Sequence, residues 1–173
     1  MALISLCLLF IGVVILFFNL FPIKYTVDIK RCANEYNVPS YIVASVINVE
    51  SRFEADARSH ADAMGLMQLK LGTAKDMAKN TNILVDEINV FDTDINIKLG
   101  TKYIAYLLEM FDGNEVNALA SYNWGLQNVK DWIGAGNMDQ DGTIINIPVR
   151  ETEMYIRKYM VCKFVYRDVY RLR

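Results

Sequence analysis

The chain has 173 residues, of which 53% are apolar and 22% charged, with a formal net charge of −2. That balance excludes the basic footprint expected of a nucleic-acid binder, and three cysteines without a C-x-x-C spacing, beside a single histidine, offer no cluster for a metal. The composition suits one compact domain plus an unusually greasy segment.

That segment lies at the amino-terminal end. From Ala2 to Phe21 no residue is charged, Leu, Ile, Val and Phe dominate, and Ser5 and Asn19 are the only clearly polar side chains. About 20 apolar residues span a bilayer core as a helix. A cleaved signal peptide is the alternative, but no Lys or Arg precedes the run and no small-residue cleavage pattern follows it. Residues 1–24 are therefore read as an uncleaved membrane anchor. Lys24, Lys30 and Arg31 follow the span, and by the positive-inside tendency alone the rest of the chain faces the cytoplasm. Residues 28–173 are long enough for one domain with its own core.

Along that domain the spacing predicts helices joined by polar loops. Asp28 to Tyr36 reads as a short helix stopped before Pro39, and Ser40 as the cap of a second helix running through Ser51. Val43, Val46 and Ile47 form a stripe on it at helical spacing, which Glu50 continues. Phe53 to Met67 has no regular period. A helix from Thr73 through Lys79 is interrupted by Asn80, Thr81 and Asn82. Asp94 is placed to cap a long amphipathic helix with Ile95, Leu99, Tyr103, Tyr106, Leu107 and Met110 on its inner side. Asp112-Gly113-Asn114 ends it as a turn. Helices over Glu115 to Tyr122 and near Val129 to Ile133 follow, then a loop from Gly134 to Gly142 and a short extended piece over Thr143 to Ile147. Pro148 opens a last helix of about twenty residues. The fold class is mainly α with at most a minor β element.

Three features have ordinary readings. Cys7 lies inside the apolar run, while Cys32 and Cys162 are expected as buried free thiols unless the first and last helices of the domain meet in an oxidising compartment. His60 is expected in a loop. Arg157, Lys158, Lys163, Arg167, Arg171 and Arg173 are spaced among aromatics and read as the solvated face of the terminal helix, with attraction to anionic polymers or lipid head groups as the alternative.

Glu50 is the residue that physics singles out. A carboxylate late on an apolar helix face is desolvated and lies near the negative end of the helix dipole, and both effects raise its pKa. A raised pKa keeps the carboxyl protonated near neutrality, as a general acid requires. The plain alternative is a glutamate that turns out to solvent at a helix end.

The surrounding text favours the first reading. Glu50-Ser51 is followed by Ser59, by Gly65-Leu66-Met67-Gln68 and Thr73-Ala74, then far downstream by Tyr122-Asn123-Trp124-Gly125 and by Glu151-Thr152 with Tyr155. With these four separated blocks, the sequence from about Ile29 to Tyr159 resembles the soluble lytic transglycosylase domain, a lysozyme-like family. The resemblance implies cleavage of peptidoglycan glycan strands between N-acetylmuramic acid and N-acetylglucosamine. It also implies Glu50 as the single catalytic acid and base, a 1,6-anhydro ring in the product, and no cofactor. Lysozyme-type hydrolysis uses a second carboxylate about 5 to 9 Å away, and the sequence offers no obvious one; Glu54 and Asp56 read as solvated loop residues. Ser59, Gln68, Tyr122 and Asn123 match positions at the bound sugar, whose hydroxyl and N-acetyl groups an uncharged polar set can hydrogen-bond. Gly65, Met67, Glu151 and Tyr155 match supporting positions, with Glu151 expected beneath the cleft. Trp124 is read as core packing, with stacking on a sugar as the alternative.

The chain departs from the family pattern at Asp62, at Lys70-Leu71 after Gln68-Leu69, at Ser121 and at Trp124. These changes fall at the cleft rim and concern substrate detail. A muramidase and a glycan-binding or assembly module without turnover are the competing functions. Activity on the wall places the domain outside the cytoplasm, against the positive-inside tendency, and the sequence names no recruiting partner.

Overall fold

The computed structural model describes residues 2–173, and among them the chain is mainly helical. Helix α1 spans Ala2–Leu20, α2 Thr26–Glu35, α3 Ser40–Ser51, α4 Leu71–Ala78, α5 Thr93–Met110, α6 Glu115–Trp124, α7 Leu126–Gly134 and α8 Arg150–Phe164. A two-stranded antiparallel hairpin, β1 (Ala63–Met64) and β2 (Leu69–Lys70), precedes α4. A 3₁₀ turn at Asn89–Phe91 leads into α5, and a π turn at Val165–Val169 continues α8.

Helix α1 stands apart. Leu3–Leu20 is long and apolar enough to cross a membrane, and none of that stretch is buried in the protein. The domain is organised around α3, which packs against α8, α2 and α5. Ile42, Val43, Ala44, Val46 and Ile47 are buried, and Ser45, Asn48 and Ser51 are buried with them. A helix enclosed on most sides must satisfy its polar groups locally: Ser45 donates to the Tyr41 carbonyl at 2.6 Å, and Ser51 to the Leu66 carbonyl at 2.8 Å.

Several element ends differ from expectation. Ser40 is the first residue of α3 and not its cap; Pro39 holds that position at φ −57° with no side-chain cap bond, since its fixed φ prepares the helix start. Asp92, not Asp94, caps α5, accepting from the Ile95 amide at 3.1 Å. The buried face of α5 runs through Asn96, Ile97, Leu99, Gly100, Thr101, Ile104 and Leu107, leaving Tyr106 and Met110 exposed. A stripe drawn through apolar residues alone misses this face because Asn96, Gly100 and Thr101 belong to it. Thr143–Ile147 reduces to one bridge between Met138 and Ile144, and α8 begins two residues after Pro148. Cys32 and Cys162 are buried free thiols.

Asn96 and Gly65 fix the hairpin. The Asn96 amide donates to the carbonyls of Met64 at 3.0 Å and Val90 at 2.8 Å, and its oxygen accepts from the Met67 amide at 2.7 Å. Gly65 has φ +76°, and a Cβ there would meet Asn96 Nδ2 at 2.3 Å. Only glycine accommodates both the conformation and the close approach.

Candidate active site

Glu50 is the penultimate residue of α3, partly accessible at a cleft of about 400 Å³. The cleft is walled by the hairpin through Ala63, Gln68, Leu69 and Lys70, by α5 through Tyr103, by the end of α6 through Tyr122, Asn123 and Trp124, and by the start of α8 through Glu151. Burial pushes the Glu50 carboxyl up to about 7; the Tyr155 phenol, turned toward it, opposes that rise, and the negative charge of Glu151 adds to it. The carboxyl is thus poised near neutrality, where a carboxyl can act as either acid or base.

The tyrosines around it stay protonated. Burial, then the neighbouring Glu50 charge, holds Tyr122 and Tyr155 well above the ordinary phenol range. Tyr122 donates to the Met67 carbonyl at 2.7 Å and its ring lies 5.2 Å from that of Tyr103. The Tyr155 hydroxyl is buried without an acceptor at hydrogen-bond geometry among the described residues, so it is available to Glu50 when that carboxylate ionises.

The other expected site residues divide by what their polar atoms already do. Gln68 lines the cleft, but its amide nitrogen donates to the carbonyls of Ala57 and Gly65, both at 2.9 Å; its oxygen is the atom left for a ligand. Asn123 also lines the cleft, with its oxygen accepting from Thr152 at 2.8 Å. Ser59 is outside this cleft and lines an adjoining groove that shares Glu50 and Gln68 with it. Its hydroxyl accepts from the amides of Ala61 at 3.2 Å and Ala63 at 3.1 Å, holding the loop before β1. Met67 is fully buried, and a Cβ at Gly100 would strike its sulfur. Glu151 is exposed at the cleft and not buried beneath it, because the first turn of α8 opens to solvent. It supplies the carboxylate near Glu50 that the sequence did not reveal. Glu54 and Asp56 are exposed, as is His60.

Sequence reasoning missed Asn96 and Tyr103. Asn96 was readable in principle as a polar residue on the apolar side of a helix, a position that demands partners. Tyr103 carried only a core signal. Trp124 lines the cleft while its ring meets that of Trp132 edge-on, with centroids 6.4 Å apart and planes at 67°, so it serves both packing and the rim. Among the described residues no group of His, Cys, Asp and Glu side chains is arranged to hold a metal.

A helical domain with a half-buried, proton-poised glutamate at the end of its central helix, facing a polar cleft, is a lysozyme-like arrangement. The transglycosylase SLT domain family matches residues 28–145, and the chain belongs to that family. It is 30% identical to the soluble lytic murein transglycosylase of Escherichia coli K12 over 151 residues, covering 85% of this chain and 23% of the relative. It is 36% identical to the membrane-bound lytic murein transglycosylase F of Desulfosudis oleivorans over 109 residues, 60% of this chain and 22% of that protein. The solved lytic transglycosylase Slt of Pseudomonas aeruginosa, an inactive mutant, superposes with a TM-score of 0.78 at 29% identity, covering 88% of this chain and 25% of that one. The 70 kDa soluble lytic transglycosylase of E. coli gives 0.77 at 28% identity, covering 85% and 24%. The chain therefore spans about a quarter of the length of these larger proteins.

Proposed function

We propose that this chain is a peptidoglycan lytic transglycosylase that cleaves the β-1,4 bond between N-acetylmuramic acid and N-acetylglucosamine and leaves a 1,6-anhydromuramic end. The observation that carries the reading is a single carboxyl, Glu50, held near neutrality by burial at the floor of the cleft. In its protonated form Glu50 donates to the bridging oxygen as the glycosidic bond breaks. As carboxylate it then accepts the proton of the sugar's own 6-hydroxyl, which attacks the anomeric carbon and closes the ring. The Tyr155 phenol stabilises the carboxylate between the two steps. The relatives are lytic murein transglycosylases by name, which supports the substrate class. Gln68, Tyr122 and Asn123 are proposed to position the sugars and Ser59 to shape the adjoining groove, with Gly65, Met67, Glu151 and Tyr155 in support.

Glu151 gives a specific ground for a second reading. It and Glu50 are the two carboxylates lining the cleft among the described residues, and a pair of carboxylates is what a muramidase uses to hydrolyse the same bond. Mass spectrometry of muropeptides released from purified sacculi by the full chain in detergent separates the two. The transglycosylase yields 1,6-anhydro ends that disappear in Glu50→Gln and persist in Glu151→Gln. Products heavier by one water establish the hydrolase, and binding to sacculi without release establishes a binding module.

The localisation proposed is a single-pass membrane protein, anchored by α1, with the domain on the wall side. The lysines and arginine after the span point the other way, so a reporter fused after Arg173 decides it. Activity of that reporter in the cytoplasm contradicts the wall-facing orientation.

A further inference from the structure

The joint between α1 and the domain is made by side chains of the domain. Asn48 donates to the Leu20 carbonyl at 3.1 Å, Tyr170 to the Phe21 carbonyl at 2.7 Å and Tyr166 to the Pro22 carbonyl at 2.5 Å. Leu20 is the last residue of α1, whose carbonyl lacks a partner within the helix, and Phe21 and Pro22 are the two residues that follow it. The Tyr170 ring also lies 6.1 Å from that of Phe17 on α1.

Two features make this joint short and stiff. Only Phe21–Tyr25 separate α1 from α2, a segment that reaches about 17 Å even when fully extended. Asn48 is on the same helix as Glu50, two residues earlier, which is about 3 Å of axial rise. The helix that presents the acid is thus the helix that grips the end of α1. A groove lined by Arg52, Glu54, Arg58 and Ser59 shares Glu50 and Gln68 with the main cleft, and Lys24 of the exit segment pairs with its Glu54 at 3.9 Å. Tyr166 is buried in the domain core and carries the joint into it; Tyr170 is half-buried, Arg167 pairs with Asp168, and Arg171 is an exposed cation suited to anionic head groups.

We propose that Asn48, Tyr166 and Tyr170 hold the cleft at the bilayer surface, so that the substrate is glycan lying at that surface, on strands still attached to a lipid carrier, and not the wall further out. The proposal rests on the glycan-cleaving reading and on α1 spanning the membrane. Sharing a bilayer confines enzyme and lipid-held strand to one thin layer and raises their effective concentration, whereas a sheet of wall polymer must come down to the membrane to be reached.

The test uses the full chain in liposomes with two substrates. One is glycan polymerised in the same bilayer on a polyprenyl diphosphate carrier; the other is isolated sacculi added outside. Two variants accompany the wild type: an insertion of about 20 Gly and Ser residues between Ile23 and Lys24, which adds a root-mean-square reach of about 25 Å, and Tyr166→Phe with Tyr170→Phe. In detergent all three proteins are expected to cut sacculi at the same rate, which shows that their sites are intact. In liposomes the wild type is expected to prefer the lipid-held glycan by about tenfold or more, and the spacer variant to narrow that preference to about threefold by gaining sacculi. The tyrosine variant is expected to fall between them. A wild type that cuts sacculi from liposomes as fast as the spacer variant overturns the proposal. Absence of anhydro products from every preparation, detergent included, overturns the glycan-cleaving reading and this proposal with it.

Discussion

The two walls of the cleft are built differently. The wall formed by α3, the hairpin and α5 belongs to a large buried cluster that includes Ile42, Val46, Ile47, Leu66, Met67, Ile97 and Leu99. The opposite wall, lined by Trp124, Gly125 and Glu151, is backed by a small cluster of Ala120, Val129 and Ile144. The first wall carries the acid and is fixed by Asn96, Gly65 and Ser51; the second offers half-buried aromatic surface and longer loops. Few buried apolar contacts mean low local stability, so Glu50 sits on the more stable wall and faces one that yields more easily.

Glu50→Gln gives the largest effect. It is expected to lower the rate of muropeptide release by on the order of 10² to 10⁴-fold while circular dichroism shows an intact fold. Next is Asn96→Ala, which strands the Met67 amide and the carbonyls of Met64 and Val90 in the core. A loss of about 2 to 4 kcal/mol in denaturant unfolding is expected; a loss under about 0.5 kcal/mol would show that the first wall does not depend on this residue.

Glu50 also imposes a stability cost with a defined pH dependence. Its folded pKa, about 7, is raised above the ordinary carboxylate value, so the stability associated with the protonated form is present below about pH 4.5 and lost as pH rises through about 7. Glu50→Gln is therefore expected to be more stable than wild type at pH 8 by about 1 to 3 kcal/mol and nearly equal to it at pH 4.5. Thermal unfolding at the two pH values checks the sign.

On the second wall, Trp124→Ala is expected to raise KM by about 3 to 10-fold with a smaller change in kcat, because an aromatic face contributes about 1 kcal/mol beyond its area. A fall in kcat alone would place Trp124 with the acid's wall instead. The smallest effects are shifts of the alkaline limb of the pH-rate profile. Tyr155→Phe removes a group that favours ionised Glu50 and moves the limb up, whereas Glu151→Gln removes a repelling charge and moves it down, each by less than about one pH unit.

Much of the first wall was legible in the sequence. The apolar stripe ending at Glu50 and the Gly65–Gln68 run are local signals, and the four blocks together identified the family. What was hidden depends on contacts between distant segments. Asn96 reads as an interruption of an apolar stripe until the hairpin carbonyls are seen around it. Glu151 could not be placed beside Glu50 because the two are 101 positions apart in sequence and only the packing of α8 on α3 brings them together. The role of Ser59 as a loop clasp, and the grip of Asn48, Tyr166 and Tyr170 on the end of α1, have no local pattern at all.

Everything proposed for this cleft depends on Glu50 holding its proton up to about pH 7. The most direct test is an infrared difference spectrum between the wild-type chain and Glu50→Gln, recorded from pH 4 to pH 9. A protonated carboxyl band present in the difference and lost with a midpoint near 7 is the predicted result. A carboxylate already ionised by pH 5.5 would contradict the account.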